Sequence, residues 1–185
     1  MTLEKCQLYC LDRNLPMAGL EYGNECYCGT SLQSGSTLGQ IGCTMACTGN
    51  SSQICGGPSR LGVYNYTQFV PPVIVPAVGT YISQGCYSEA TTGRALSAYS
   101  FTNTTAMTVE LCVGACKTRS YQYAGLEYSQ ECYCGNTLAA TAARIPDAQC
   151  NSLCKGNKRE YCGASKKMNL YFNQPSNITA NGMPA

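Results

Sequence analysis

Residues 17–32 read MAGLEYGNECYCGTSL, and residues 123–138 read YAGLEYSQECYCGNTL. The two stretches are one element written twice, and the rest of the chain is placed from them. Cys6, Cys10, Cys26 and Cys28 recur 106 residues later as Cys112, Cys116, Cys132 and Cys134. Cys43, Cys47 and Cys55 recur 107 residues later as Cys150, Cys154 and Cys162. One residue has been gained or lost between the two groups. Seven cysteines repeating at nearly one offset mark a duplicated module.

Working outward, AGLEY and ECYCG read as two short strands around a turn. Gly23-Asn24 is a strong two-residue turn pair, and Ser129-Gln130 is a weaker one. A two-residue loop sets Tyr22 opposite Glu25, Glu21 opposite Cys26 and Leu20 opposite Tyr27. Side chains alternate along a strand, so Cys26 and Cys28 share one face while Glu25 and Tyr27 share the other. Upstream, Thr108 is a good helix N-cap and Glu110 falls in the first turn. Val109, Cys112, Val113 and Cys116 then follow at the spacing of one helix face. Helix-to-hairpin disulfides are therefore expected, although spacing alone leaves their connectivity open. A second short helix is expected over Cys150, Leu153 and Cys154, with closing strands at LGVYNY (61–66) and MNLYFN (168–173). GTYISQGCYSE (79–89) reads as an opening strand carrying an eighth cysteine, Cys86. The first-copy counterpart of Cys86 would precede Met1, and MTLEKC at the start aligns with the internal MTVELC (107–112). The first copy is thus expected to lack its opening strand, with a signal peptide further upstream. Its odd number of cysteines leaves at least one thiol without an internal partner.

Fifteen cysteines in 185 residues, with no histidine, favour a disulfide scaffold over mixed Cys/His zinc sites. All fifteen are read as framework cysteines: Cys6, Cys10, Cys26, Cys28, Cys43, Cys47, Cys55, Cys86, Cys112, Cys116, Cys132, Cys134, Cys150, Cys154 and Cys162. Four N-x-S/T triplets, at Asn50, Asn65, Asn103 and Asn177, agree with a secretory route and are candidate glycosylation sites. A net charge of +2 argues against nucleic acid, which needs a concentrated basic surface. No apolar run reaches the length of a membrane span. No cofactor or metal is expected. The chain divides into a first module over 1–66, a proline-rich spacer over 67–78, a complete module over 79–173 and a flexible tail over 174–185. Pro71, Pro72 and Pro76 make the spacer extended, and its valines are apolar enough to pack on one module. The fold class is small disulfide-rich α+β, each module an antiparallel sheet with one or two short helices.

The run aGLEYg-ECYCGn-L, the CxxxC before it, the opening GCY and the closing C-x3-C, C-G and aromatic strand together resemble a WSC domain. The resemblance covers 79–173 and most of 1–66. It implies a small sheet with a helix or two, cross-linked by four disulfides, and a carbohydrate-binding role. Such domains occur in fungal cell-wall sensors, secreted fungal oxidases and glucanases, and animal Kremen-type receptors. β-1,3-Glucan and related fungal wall polysaccharides are the ligands implied, in an extracellular or cell-wall setting. The chain departs from the pattern in the missing first strand.

The residues themselves point the same way. Without histidine, Ser-His-Asp and Cys-His catalysis are absent. Glycoside hydrolysis needs two carboxylates facing one cleft, and the two-residue loop puts Glu21/Glu25, and Glu127/Glu131, on opposite faces. No enzyme activity is expected of the chain. Sugar binding needs an aromatic platform with polar groups at its edge. Tyrosine supplies an apolar ring with a polar tip. The candidate carbohydrate-binding residues are Tyr22, Asn24, Glu25 and Tyr27 in the first copy, and Tyr128, Gln130, Glu131 and Tyr133 in the second. Leu20 and Leu126 are expected beside them. The basic residues Lys155, Lys158, Arg159, Lys166 and Lys167 read chiefly as a solvated face that could also meet acidic glycans. Two other roles fit the same residues: the ectodomain of a cell-surface sensor, or the accessory binding part of a larger secreted enzyme.

Overall fold

The computed structural model describes residues 1–174; Asn177 and the rest of the expected tail lie outside the described residues. The chain forms two compact units that divide between Pro71 and Pro72.

In unit 1, Thr2 is extended and its hydroxyl accepts from the Lys5 N–H, which starts helix α1 (Leu3–Leu11). Strands β1 (Met17–Glu21) and β2 (Glu25–Gly29) form the hairpin. Strands β3 (Ala46–Cys47) and β4 (Asn50–Ile54) make a separate two-stranded ribbon. Strand β5 (Gly62–Asn65) returns antiparallel to β1, giving the order β2-β1-β5. Cys6, Cys10, Ala18, Leu20, Cys47 and Cys55 are buried together. Disulfides Cys6–Cys26 and Cys10–Cys28 tie helix to hairpin, and Cys47–Cys55 closes the ribbon.

Unit 2 repeats this plan with more strands. They are β6 (Ala77–Val78), β7 (Tyr81–Ser88), β8 (Tyr99–Thr102), β9 (Tyr123–Glu127), β10 (Glu131–Gly135), β11 (Arg144–Ile145) and β12 (Lys167–Asn173). Helix α2 (Val109–Lys117) follows β8, capped by Thr108 as its sequence predicts. The sheet runs β11-β7-β12-β9-β10-β8, with β6 also on β7. Val109, Cys112, Val113 and Cys116 all face inward from α2 onto Ala124, Leu126, Cys132 and Cys134. Tyr81 and Tyr171 complete this core, and each buried hydroxyl finds a backbone acceptor, Tyr121 O and Val75 O respectively. Disulfides Cys112–Cys132, Cys116–Cys134 and Cys154–Cys162 repeat those of unit 1, and Cys86–Cys150 adds a fourth. Within the expected spacer, Val75 and Val78 pack on this core, and the Val73 N–H donates to Arg159 O.

Each helix receives a second cap from the far side of its unit. The Leu3 N–H donates to Gln53 Oε1 at 3.1 Å, and the Val109 N–H donates to Glu160 Oε2 at 2.8 Å. Gln53 and Glu160 occupy the same place in the repeat.

Three expectations are corrected. The hairpin register is one step away from a two-residue loop: Glu21 lies opposite Glu25, Leu20 opposite Cys26 and Gly19 opposite Tyr27. Unit 2 matches, with Glu127 opposite Glu131 and Leu126 opposite Cys132. The cause is tertiary. Tyr22 and Gly23 take positive φ (49° and 77°), which lets the Gly23 N–H donate to Cys55 O at 2.9 Å. Tyr128 and Ser129 do the same (52° and 69°), and the Ser129 N–H reaches Cys162 O at 3.0 Å. The disulfide-closed loop thus selects the turn. Leu20 and Leu126 consequently sit in the core beside the cysteines. Second, no helix forms over Cys150–Cys154; a single 3-10 turn spans Asp147–Gln149. The backbone there is committed elsewhere, since the Cys154 N–H donates to Glu160 O and Ser152 exchanges bonds with Cys162 and Gly163. Third, Cys43 has no disulfide. It corresponds to Cys150, whose partner Cys86 lies on β7.

Candidate binding surface

The positive-φ turn presents a tyrosine at the tip of each hairpin. Tyr22 is 44 % exposed and Tyr128 is 54 % exposed. An L-residue other than glycine pays for this conformation with steric strain of roughly 1 kcal/mol, yet both units place tyrosine there. The tip is pinned from beneath by the Cys47–Cys55 and Cys154–Cys162 loops through the bonds just described. Thr48 and Lys155 add a second contact, their N–H groups donating to Gly23 O and Ser129 O. The rings therefore project from a fixed backbone. Asn24 is exposed, and Gln130 is half-buried, in the same loops.

Behind the tip, the corrected register gathers carboxylates on the face opposite the disulfides. In unit 1, the Tyr27 hydroxyl donates to Glu25 Oε2 at 3.0 Å, and Tyr27 is 49 % exposed. Hydrogen bonding to Glu25 and its negative charge raise the Tyr27 phenol above its ordinary range. In unit 2, the Tyr133 hydroxyl donates to Glu131 Oε2 at 2.8 Å, but Tyr133 is only 8 % exposed. The segment after β7 covers it. Leu96 packs beside it with Met168 and Leu170, and the Arg94 guanidinium lies 4.6 Å from the ring centroid. Arg94 also binds Glu127 at 2.7 Å and Glu89 at 3.2 Å. Glu89 in turn accepts from the Ala90 and Ala95 N–H groups, which closes this segment on itself, while the Arg94–Glu127 pair ties it to β9. Burial, then the adjoining Glu89, pushes the Glu127 carboxyl up to about 7 against the pull of Arg94.

The structure thus joins Tyr22, Asn24, Glu25 and Tyr27 in one hairpin, and Tyr128, Gln130, Glu131 and Tyr133 in the other. It leaves Tyr133 covered where Tyr27 is open. It also places Glu21 on the same face as Glu25, and Glu127 on the same face as Glu131, which overturns the opposite-face argument against a carboxylate pair. In unit 2 these acids are committed to Arg94 and Tyr133. Sequence reasoning missed Arg94 because the 90–98 segment has no strand or helix period, and missed Glu89 because it only ends the stretch read as the opening strand. Among the described residues, the sulfur clusters Cys6/Cys10/Cys26 and Cys112/Cys116/Cys132 lie within metal-binding reach of one another. Their sulfurs are spent in disulfides, so they are not thiolate ligands.

Lys155, Lys158, Arg159 and Lys166 are exposed and Lys167 is half-buried. Asn50 and Asn65 are exposed, and Asn103 is half-buried. The Ser52 hydroxyl donates to Asn50 Oδ1 at 2.7 Å, and Thr105 does likewise to Asn103 at 3.3 Å. Among the described residues, no helix is long and apolar enough to cross a membrane.

The family model for the WSC domain matches residues 1–57 and 83–164. The chain belongs to the WSC domain family. A protein of Chaetomium globosum whose name carries the words "fungistatic metabolite" is 40 % identical over 179 residues, covering 92 % of this chain and 80 % of its own length. A WSC domain-containing protein of Arthroderma benhamiae is 37 % identical over 172 residues, and the match spans 92 % of this chain but 23 % of that protein. The xylosyltransferase oxt of Drosophila pseudoobscura pseudoobscura is 37 % identical over 99 residues, 54 % of this chain and 11 % of the enzyme. Both units are WSC domains, and their shared hairpin tip is common ground within the tandem pair.

Proposed function

We propose that this tandem WSC protein binds carbohydrate without acting on it, in an extracellular or cell-wall setting, with a β-1,3-glucan-type wall polysaccharide as ligand. The observation that carries the reading is the exposed tyrosine held in strained backbone at the same hairpin tip of both units. Ring faces meet sugar CH groups, while the phenol and the neighbouring amides of Asn24 and Gln130 meet hydroxyls. Seven disulfides agree with an oxidising compartment. Two sites on one chain gain roughly 10²–10⁴ in avidity when both reach one polymer. The test is sedimentation of the protein with insoluble β-1,3-glucan, chitin, xylan and cellulose. Selective retention on glucan that is lost on reduction supports the proposal; no retention on any polymer ends it. A second reading, the binding part of a larger enzyme, is favoured by the small share of the xylosyltransferase that matches.

A further inference from the structure

Each hairpin tip stands beside a disulfide-closed loop, and the two loops differ in charge. The Thr48 N–H donates to Gly23 O, and the Lys155 N–H donates to Ser129 O, so both loops meet their tips through the same backbone bond. In unit 1 the run beside the tip reads TGNSSQ over 48–53 and carries no charge. In unit 2 the same six positions read KGNKRE over 155–160. The acid in that run is turned inward. Glu160 is buried, and its carboxylate accepts from the Val109 N–H and from Asn157 Nδ2. Asn157 Oδ1 accepts in turn from the Arg159 N–H at 3.0 Å, which fixes the backbone of the loop. The three cations remain outside: Lys155, Lys158 and Arg159 are all exposed. Among the described residues, neither Lys155 nor Arg159 enters an ion pair. Two other carboxylates lie near. Glu131 is engaged by the Tyr133 hydroxyl, and Glu110 is exposed in the first turn of α2, close enough to act on Glu160. Three outward cations thus face one outward acid.

We infer that the tip of unit 2 takes an acidic polysaccharide, one whose sugars carry carboxylates. The inference rests on the carbohydrate reading of the tips given above and narrows the ligand class for one of them. Tyr128 offers an exposed ring to the CH face of a sugar. Lys155 is bonded to Ser129, the residue that follows Tyr128, so ring and cation approach the same ligand. The Arg159 guanidinium fits a carboxylate as a planar fork, and the lysines act as compact charges. An exposed ion pair alone contributes little. A uronate sugar supplies more than that, because it pairs an apolar ring face with a carboxylate at its edge and repeats both along a chain. A sulfated chain carries the same charge without the planar carboxylate, and the experiment separates the two.

The test is calorimetric titration of the full chain with soluble oligogalacturonate, with the same oligomer methyl-esterified, and with dextran sulfate. The free acid should bind at least about tenfold more tightly than the ester, the worth of a charge-assisted hydrogen bond. Its affinity should fall as salt rises through about 0.1 M, where the screening length is about 10 Å. The double variant Lys155→Thr, Arg159→Ser installs the residues that unit 1 has at these positions, Thr48 and Ser52. It should lose most of the uronate affinity with its melting temperature and its sedimentation with β-1,3-glucan unchanged. Tyr128→Gly should also weaken uronate binding. Equal affinity for acid and ester would overturn the inference, as would full binding by the double variant. Dextran sulfate bound as tightly as the uronate, with no dependence on Tyr128, would show unselective adhesion of polyanions and overturn it too. Glucan retention without uronate binding ends this inference alone. Uronate binding that needs Lys155, Arg159 and Tyr128, in a chain that ignores glucan, upholds it and ends the glucan reading.

Discussion

Arg94 Nη1 lies 2.7 Å from Glu127 Oε2, and this pair holds the 89–96 segment over Tyr133 in unit 2. Burial keeps the Glu127 carboxyl near 7 when folded, against an ordinary value of 4.5. The folded state therefore binds the extra proton between those values. Stability falls as pH rises from about 4.5 to about 7, by on the order of 1–3 kcal/mol. Thermal melts across that range should show the decline, and Glu127→Gln should flatten it. An unchanged slope in the variant would assign the pH dependence to another group.

The hairpin-tip tyrosines separate binding from stability. Tyr128→Gly removes the ring and relieves the positive-φ strain, so the fold should hold or gain up to about 1 kcal/mol while glucan retention falls. Tyr22→Gly should act alike, and the double variant should lose retention more than either alone, as avidity requires. Melting and sedimentation on the same preparations read both effects. Full retention by the double variant would remove the tips from the binding site.

The disulfides of unit 2 should differ in weight. Cys86–Cys150 spans 64 residues and Cys154–Cys162 spans 8. Loop-closure entropy predicts losses of about 4 and about 2.5 kcal/mol on replacing each pair with serine. The shorter bridge, however, supports the tip through the Ser129 N–H to Cys162 O bond. Its removal should cost glycan retention out of proportion to stability, which denaturation curves and pull-downs on the two variants would show.

Thr108→Ala should cost roughly 1 kcal/mol by removing the α2 cap. The parallel Thr2→Ala should act on unit 1 by a similar amount. Denaturant titration followed by hydrogen exchange assigns each loss to its unit. A loss confined to one variant would show that the second cap from Gln53 or Glu160 suffices there.

The repeat, the cysteine-bearing helix face, the helix-to-hairpin pairing and the closing strands were all legible from the periods of 3.6 and 2 and from the duplicated spacing. The hairpin register was not. Gly23-Asn24 favours a two-residue turn locally, but acceptors at Cys55 and Cys162, about thirty residues away in sequence, select a three-residue loop. Local propensity carries no term for such a partner. The Cys150–Cys154 helix failed for the same reason, its backbone being taken by Glu160 and Gly163. Arg94 was invisible because an ion pair across an irregular segment leaves no period, and Glu89 because it only ends the stretch read as the opening strand.

The single exchange of Gln53 for Glu160 sets the two copies on different footings. Both reach across to the first turn of a helix, but the amide of Gln53 does not ionise. Burial raises the Glu160 carboxyl from its ordinary range, so its ionised form weakens unit 2 as pH rises through that window. Duplication has thereby yielded two helix anchors that answer acid in opposite senses: Gln53 donates to the Glu4 carboxylate, whose lowered titration means that acid loosens the first copy there, whereas protonation of Glu160 favours the second.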